Sequence, residues 1–484
     1  MSRLKDYIPL YTSDDKEKLL SVLEEKQKII SDYKNKYITP TLQKKKEIME
    51  IVAKYIKKHQ LKIYGGHAQN LTIKKYFPAK QFYTDPDDLH DYDTYSSDPV
   101  KDGIKLATKL YKKGYSGILF RDAMHFETYS LIYEGFTICD LTYVPKKIFA
   151  NIPCETIDGF VVCKALFYII DFLRMFTDPV SSAFRWDKQI ERFMLIQSVF
   201  PVPDIKEPLL LDDIKMYPQI KLEYKKAIRK YIKTTDNNLL ITGFYAYNKY
   251  VSLNNQNKRT KHIYNTEFKK FKNPYFTFIC SNNYKENVNK FVEYLKMYFK
   301  NKITINIREK YKFFQFKDYC AEIYLNDEHV ATIYKNNNIC VPYVSINNVK
   351  YCSFQYNLMF TYISAFYANN YNEGKPLRDL KEKLLPKYAE NEFHKIAVNM
   401  VKMRDNYLHD YKLSFLDPSP YEDFIVLCNG DILTPQQIKS QSVKHYYGVK
   451  YDPSKDSPNK YNNKLYTNTS GGYIYNEGDL KLKN

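Results

Sequence analysis

Two glycines and three aspartates in one short stretch constrain this chain more than any other feature of its sequence. The pair Gly65-Gly66 follows a strand-like run and precedes a helical pattern, which predicts a tight strand-to-helix turn. Asp91 and Asp93 come next in D-x-D order, and Asp140 follows between apolar neighbours on a later strand-like run. Side chains at i and i+2 of a strand point the same way, so Asp91 and Asp93 are expected to face together. If the strand of Asp140 lies beside theirs, three carboxylates meet.

Three converging carboxylates are costly unless cations neutralise them, and Mg²⁺ and Mn²⁺ prefer such oxygen ligands. Two ions suit the transfer of a nucleotide from a triphosphate to a hydroxyl. We therefore predict that Asp91, Asp93 and Asp140 are catalytic and bind metal. Gly65 and Gly66 are predicted to bind the nucleotide, because backbone without Cβ atoms approaches phosphates closely and the following helix offers N–H groups.

Each of these motifs alone also has an ordinary structural explanation. A glycine pair is usually only a turn, and the acidic run from Asp85 to Asp93 is typical of a solvated loop. The order of the motifs, each in a strand-like or turn-like context, favours a site over these alternatives.

A basic helix is predicted downstream of the carboxylates. Pro179 is typical of a first helical position, and the helix is expected to run to about Val199. Arg185, Lys188 and Arg192 then have i, i+3, i+7 spacing and share one face. We predict nucleotide binding by Arg185 and Lys188, since this face suits a triphosphate or an RNA backbone. A solvated face with surface salt bridges is the alternative.

The composition favours an anionic partner such as nucleic acid. The formal net charge is +19, from 74 basic and 55 acidic side chains, although abundant Lys, Asn, Tyr and Ile are also typical of an AT-rich genome. No Cys/His cluster has zinc spacing. Scattered cysteines without a signal peptide favour a reducing, cytoplasmic location. No apolar run approaches the roughly 20 residues of a membrane span, so no membrane partner is expected.

The fold class is predicted as α+β, with two units of mixed helix and strand. The predicted ranges are 1–60, an N-terminal helical region; 61–200, a catalytic domain with trailing helices; 201–262, a helical connector; 263–440, a C-terminal α/β domain; and 441–484, a weakly ordered basic, Tyr-rich tail. The apolar run 161–175 is predicted as one buried helix. The C-terminal α/β domain echoes the element order of the catalytic domain without its Gly-Gly turn or D-x-D, which suggests a degenerate copy serving as a platform.

These motifs resemble those of the nucleotidyltransferase superfamily, hG[GS], h[DE]h[DE]h and h[DE]h, where h is apolar. The chain as a whole resembles the poly(A) polymerase catalytic subunit of large nucleocytoplasmic DNA viruses, of the poxvirus and giant-virus type. The match covers Tyr64 to Val144, with the two glycines and three aspartates in the motif positions.

The resemblance implies a polymerase-beta-like catalytic domain, ATP as substrate, two Mg²⁺ or Mn²⁺ ions and an RNA 3′ end as primer. It also implies a location in the cytoplasm of an infected cell or in the virion. Relatives of the poxvirus type work with a processivity partner, and self-association is the alternative here. His67 departs from the family pattern, in which a small residue commonly follows the glycines.

We predict a template-independent poly(A) polymerase that adds AMP from ATP to RNA 3′ ends and releases pyrophosphate. A first alternative keeps the chemistry and changes the product, as in a terminal uridylyltransferase, a CCA-adding enzyme or an oligoadenylate synthase. A second alternative is a non-catalytic RNA-binding scaffold with a dead transferase fold. A third is a structural protein with an acidic loop.

Overall fold

The structure, a computed structural model, consists of two eight-stranded mixed sheets with their helices. It describes residues 12–37, 40–123, 128–144, 146–199, 220–234, 238–254, 270–271, 274–280, 283–310, 320–336, 340–370, 385–414, 417, 419–421, 428–429 and 449–450.

The first unit holds the predicted motifs. Its helices are α1 Lys16–Tyr37, α2 Leu42–His59, α3 Gly65–Tyr76, α4 Pro99–Tyr111, α5 Lys146–Asn151, α6 Ala165–Phe176, α7 Pro179–Ser182 and α8 Trp186–Val199. Short 3-10 helices span Ser13–Asp15, Pro78–Lys80 and Ala183–Arg185. Its strands are β1 Lys62–Tyr64, β2 Tyr92–Ser96, β3 Ile118–Asp122, β4 Thr128–Tyr133, β5 Phe136–Tyr143, β6 Cys154–Ile157, β7 Phe160–Cys163 and, from near the end of the chain, β16 Val449–Lys450. The sheet order is β16-β3-β4-β5-β2-β1-β7-β6.

The second unit holds the remaining described elements. Its helices are α9 Leu222–Thr234, α10 Gly243–Asn254, α11 Tyr284–Tyr298, α12 Phe354–Asn370 and α13 Leu385–Asp410. Its strands are β8 Leu239–Thr242, β9 Phe276–Cys280, β10 Ile305–Lys310, β11 Cys320–Leu325, β12 Glu328–Lys335, β13 Val341–Ile346, β14 Val349–Cys352 and β15 Cys428–Asn429. The sheet order is β10-β11-β12-β9-β8-β14-β13-β15.

The two sheets share one topology. In the first, β1 is antiparallel to β2 and parallel to β7, and β2 is parallel to β5. In the second, β8 is antiparallel to β9 and parallel to β14, and β9 is parallel to β12. A glycine with positive φ starts the helix after the first strand of each, Gly65 at +69° and Gly243 at +64°. The second unit therefore repeats the arrangement of the first.

The N-terminal helices differ in how they pack. Thr41 caps α2 by accepting a hydrogen bond from the Lys44 backbone N–H, and Val52 and Ile56 of α2 are fully buried in the core of the first unit. Most apolar side chains of α1 that the structure describes are exposed, with Leu20 55% and Ile30 64% exposed. Among the described residues, the apolar side chains of α1 are thus far more exposed than those of α2.

The prediction of one helix over 161–175 is wrong. Phe160–Cys163 is strand β7, paired in parallel with β1, and only Ala165–Phe176 is helical. A short apolar run fits a buried strand as well as a buried helix, and here the pairing with β1 decided between them.

The predicted helix from Pro179 to Val199 is interrupted. The structure has a short helix, a 3-10 turn that ends at Arg185, and then α8. The packing of Trp186 accompanies this break, since its indole Nε1 donates a hydrogen bond to the Met175 carbonyl, 3.1 Å away. Arg185 consequently lies outside the regular helix that carries Lys188 and Arg192.

The second sheet begins before residue 263, the boundary expected from the sequence. The range 201–262 is predicted as a connector, and its residues 201–219 lie outside the described residues. Strand β8, which falls within this range, pairs with β9 and β14 in the middle of the second sheet. Of the predicted tail, 441–484, the structure describes only Val449–Lys450, an edge strand on β3.

Apolar residues of α6 join the two units. Ile170 and Leu173 are buried in the same core as the second sheet, and Thr177 Oγ1 lies 3.6 Å from Met359 Sδ on α12. This contact holds α6, which borders the aspartates of the first unit, against the second unit. Within the described ranges, no helix is both long enough and apolar enough to cross a membrane.

Candidate active site

Strand pairing brings the three predicted aspartates together. Asp93 on β2 pairs with Tyr64 of β1 on one side and with Asp140 of β5 on the other. Asp91 lies just before β2. One carboxylate oxygen from each of Asp91, Asp93 and Asp140 lies within 4.8 Å of the others. The D-x-D spacing and the parallel neighbour β5 therefore place three acids together at the two central strands of the sheet.

The glycine turn lies directly against these carboxylates. Gly65 has φ +69°, and a Cβ atom there would come 1.9 Å from Asp93 Oδ2. A Cβ atom at Gly66 would lie 2.6 Å from the Tyr83 hydroxyl and 2.9 Å from Arg192 Nη1. The first glycine thus makes room for a carboxylate, and the second for a tyrosine and an arginine.

Burial and like charge perturb the carboxylates. The pKa of Asp93 is raised well above its usual value, first by burial and then by repulsion from Asp91, Asp140 and Asp171. Burial also raises the pKa of Asp140 to about 6, against the opposing hydrogen bond donated by the Ser130 hydroxyl. In the absence of a cation, the folded chain disfavours the ionised form of both groups.

Cations face the carboxylates across a cavity of about 350 Å³. Arg185, Lys188 and Arg192 all line it, although the 3-10 turn separates Arg185 from the other two. Gln69 of α3 also lines the cavity, and its buried Oε1 has no hydrogen-bond partner among the described residues. Anionic and cationic walls face each other, which suits a ligand that carries both phosphate groups and metal ions.

Two charged residues of α6, which are not among the predicted site residues, border the same cavity. Asp171 Oδ1 accepts a hydrogen bond from Arg174 Nη2 at 2.7 Å, and Asp171 is buried. The signal was present in the sequence, because Asp171 and Arg174 are the charged residues of an otherwise apolar helix. Their spacing of three residues makes an ion pair on one face, at the junction with the second unit.

The loop before β2 supplies a further part of the site that sequence reasoning missed. The Asn70 side chain anchors this loop, since its Oδ1 accepts hydrogen bonds of 3.0 Å from the backbone N–H groups of Phe82 and Tyr83. Tyr83 stacks on His90 and accepts a hydrogen bond from Arg192. No residue pattern in the sequence predicts these contacts, because they join the loop to two helices, α3 and α8, that are distant in the chain.

His67, which follows the glycine pair, packs edge-on against Tyr92 with ring centroids 4.6 Å apart. Burial, with smaller contributions from His90 and Lys57, lowers the pKa of His67 to about 4. His67 is therefore a neutral side chain of the cavity wall at physiological pH.

Two protein-family models match this chain. The model described as "Poly(A) polymerase catalytic subunit" matches residues 50–182, which include every predicted site residue except Arg185 and Lys188. The model described as "APMV, Putative poly(A) polymerase, catalytic subunit, C-terminal" matches residues 202–484, more than half of the chain.

Individual relatives agree with these models. The chain is 31% identical over 462 residues to a "Putative poly(A) polymerase catalytic subunit" of Acanthamoeba polyphaga mimivirus, covering 90% of this chain and 75% of the relative. It is 27% identical over 161 residues to a protein of the same description from African swine fever virus, covering 32% of this chain and 33% of that protein. The crystal structure of the Megavirus polyadenylate synthase superposes with a TM-score of 0.69 at 27% identity, covering 95% of this chain and 90% of that one.

Proposed function

Because the chain belongs to the family of poly(A) polymerase catalytic subunits, we propose that it adds adenylate from ATP to RNA 3′ ends in the cavity that holds the three aspartates. As a member of this family the chain is a template-independent poly(A) polymerase, and thus a nucleotidyltransferase. The observation that carries the proposed site is the pairing of Asp93 with Asp140 on neighbouring strands, with Gly65 directly against Asp93.

The donor set fits divalent cations. Three carboxylates offer oxygens within 4.8 Å of one another, and their mutual repulsion contributes to the raised pKa of Asp93. Asp91, Asp93 and Asp140 would hold Mg²⁺ or Mn²⁺, as two ions in this proposal, because hard cations take several carboxylate oxygens. When bound, such ions neutralise the charge of the triphosphate and activate the attacking hydroxyl.

The triphosphate is proposed to lie between the glycine turn and the cations of the opposite wall. Gly65 and Gly66 let the backbone approach phosphate oxygens, and the N-terminus of α3 directs N–H groups toward them. Arg185 and Lys188 face the same cavity and supply positive charge to the phosphates. Arg192, held by the Tyr83 hydroxyl beside Gly66, is a third cation in position for this role.

In the proposed reaction the 3′-hydroxyl of the RNA primer gives up its proton to solvent, and its oxygen attacks the α-phosphorus of ATP. The bond between that phosphorus and the bridging oxygen to the β-phosphate breaks, and pyrophosphate leaves with the charge of that oxygen. The chain contributes chiefly by holding the two substrates in line in a cavity whose charges are already in place.

A primer-extension assay tests the site, with a labelled short RNA, Mg²⁺ or Mn²⁺, and each of the four nucleotides separately. We expect long products with ATP alone, and their loss in Asp91→Asn and Asp93→Asn with RNA binding retained. Asp158→Asn is the matched control, since Asp158 lies exposed in the β6–β7 turn and tolerates its positive φ better as Asn. Persistent extension by both site variants would overturn the assignment.

The location of the reaction, in the cytoplasm of an infected cell or in the virion, is a proposal supported by the viral origin of the relatives. The need for a processivity partner, or for self-association in its place, stays a prediction.

A further inference from the structure

A second cavity, of about 240 Å³, lies in the second unit between α9, α10 and the β13–β14 hairpin. Three cations line it, Arg229, Lys233 and Lys249, together with the rings of Tyr245 and Tyr351. Within the described part of the chain, none of its lining residues is acidic. This cavity has no metal-binding character, in contrast to the site of the first unit.

The repeated topology shows which position of the first unit corresponds to this cavity. The β6–β7 hairpin lies beside β1, and the β13–β14 hairpin lies beside the equivalent strand β8. The hairpin tips match, because Ile157 pairs with Phe160 across one turn and Ile346 pairs with Val349 across the other. Phe160 and Val349 therefore occupy equivalent positions.

In the first unit this position is filled by an aromatic ring. The Phe160 ring centroid lies 5.8 Å from that of His67 and 5.6 Å from that of Tyr92, and Lys57 Nζ lies 4.3 Å from the Phe160 centroid. His67 and Tyr92 thus form one wall, and Phe160 closes the space beside it.

Among the described residues of the second unit, the corresponding wall is present and the filling ring is not. Tyr245 lies two residues after Gly243, as His67 does after Gly65, and it stacks on Phe276 with centroids 3.6 Å apart. Val349 has no ring to place in front of this pair. The cavity is open because a valine stands where the first unit has a phenylalanine.

The charges around the cavity are crowded. Lys225 Nζ lies 5.4 Å and the Arg229 guanidinium 5.8 Å from the Tyr245 ring centroid. Burial and then repulsion from Arg229 lower the pKa of Lys225, and burial and then repulsion from Lys270 lower that of Lys249. Several cations held together around tyrosine rings attract an anion that also carries a flat ring.

We propose that this cavity binds one nucleotide of the single-stranded RNA primer, upstream of its 3′ end. The base lies against the tyrosine wall, and the phosphate lies near Arg229, Lys233 and Lys249, the combination that single-stranded RNA sites use. Only the identification of the anion as RNA rests on the proposed function. A free nucleoside 5′-phosphate shares the same chemistry and is the competing source.

The decisive variant is Val349→Phe, which places in the cavity the ring that the first unit carries at the equivalent position. Affinity for a labelled single-stranded RNA is measured without ATP or divalent cations, and crosslinks from 4-thiouridine RNA are mapped to peptides. We expect the Kd of Val349→Phe to rise about fivefold or more, the lower end of one base stack. The crosslinks to peptides that contain Tyr245 or Tyr351 should disappear.

A second variant removes charge without filling the cavity. Arg229→Gln with Lys233→Gln should also raise the Kd, and it should make the salt dependence of binding shallower by about 0.7 in log–log slope for each phosphate that the variant no longer neutralises. Lys230→Gln with Lys296→Gln is the control that removes the same charge outside the cavity, and it should change neither affinity nor crosslinks.

Wild-type affinity and crosslinks in both cavity variants, with thermal unfolding unchanged, would overturn the proposal. Binding of free AMP with no crosslink from RNA would overturn the choice of RNA. The catalytic assignment is tested separately, by primer extension with Asp93→Asn. Failure of one proposal can therefore be distinguished from failure of the other.

Discussion

Gly65 and Asp93 are so close that a Cβ atom on Gly65 would lie 1.9 Å from Asp93 Oδ2. The backbone at Gly65 also has φ +69°, a conformation that side chains other than glycine's rarely adopt. The turn and the carboxylate can therefore lie this close together only because residue 65 has no side chain. This contact ties the glycine motif to the metal-binding motif.

Replacement of Gly65 by alanine should therefore damage both catalysis and folding. We expect primer extension by Gly65→Ala to fall by about 100-fold or more, because a displacement of about 1 Å in a site has that effect. Its free energy of unfolding should fall by about 1–3 kcal/mol, from strain at positive φ. Extension rates and thermal unfolding measure the two effects.

Gly135→Ala is the control for backbone strain alone, since Gly135 has φ +81° and nothing within 4 Å of an added Cβ. It should lose stability and keep its extension rate. Equal loss of activity in the two variants would contradict the role given to the Gly65–Asp93 contact.

Gly243 is the residue of the second unit that is equivalent to Gly65, and its replacement tests whether the second unit takes part in catalysis. It has φ +64°, and an added Cβ would meet Thr277 Oγ1 at 3.2 Å, where the first unit has an aspartate. Gly243→Ala should lower the unfolding temperature and leave the extension rate at saturating ATP and primer unchanged. Complete loss of extension in a folded Gly243→Ala protein would show that the second unit takes part in the chemistry.

Asp140→Asn should stabilise the protein while abolishing its activity. Burial raises the pKa of Asp140 to about 6, so the folded chain binds this proton more tightly than the unfolded chain. The stability of the metal-free protein should therefore fall as the pH rises from about 4 through about 6. About two pKa units at about 1.4 kcal/mol each set an upper limit of about 3 kcal/mol on this effect.

Thermal unfolding in a chelator, as a function of pH, compares Asp140→Asn with the wild type. The variant should be the more stable at pH 8 and lose its advantage near pH 4, since its amide oxygen still accepts the Ser130 hydroxyl hydrogen bond. Added Mg²⁺ or Mn²⁺ should raise the unfolding temperature of the wild type more than that of the variant. A variant less stable than the metal-free wild type at pH 8 would contradict the prediction.

The cations of α8 and its preceding turn should act on ATP binding. Arg185→Gln and Lys188→Gln should each raise the KM for ATP several-fold, about 1 kcal/mol of a charge-assisted contact, with the unfolding temperature unchanged because both side chains are exposed. Lys105→Gln removes an exposed charge from α4, outside the cavity, and should change neither. Steady-state kinetics at saturating primer separate these outcomes, and an unchanged KM in both variants would remove these residues from the site.

The glycine and aspartate motifs could be predicted from the sequence because each depends only on neighbouring residues in the chain. The spacing of Asp91 and Asp93, the glycines after a strand and the apolar flanks of Asp140 each indicate a backbone geometry that depends on immediate neighbours. The sequence did not indicate the 3-10 turn that ends at Arg185, since this turn accompanies the packing of Trp186 against the end of α6. Likewise the sequence shows Asp171 and Arg174 only as two charged residues in an apolar segment, and it is the fold that places them beside the aspartates.

The sequence by itself determined the α+β class, the glycine turn and the three carboxylates, because periodicity, backbone freedom and charge are properties of short segments. Only the tertiary structure decided that 160–163 is a strand and that the Tyr83 hydroxyl lies against Gly66. It alone also decided that the second unit repeats the first. These features depend on which strands pair and which side chains meet across the fold. Such pairings join residues far apart in the chain, and short-range patterns do not carry that information.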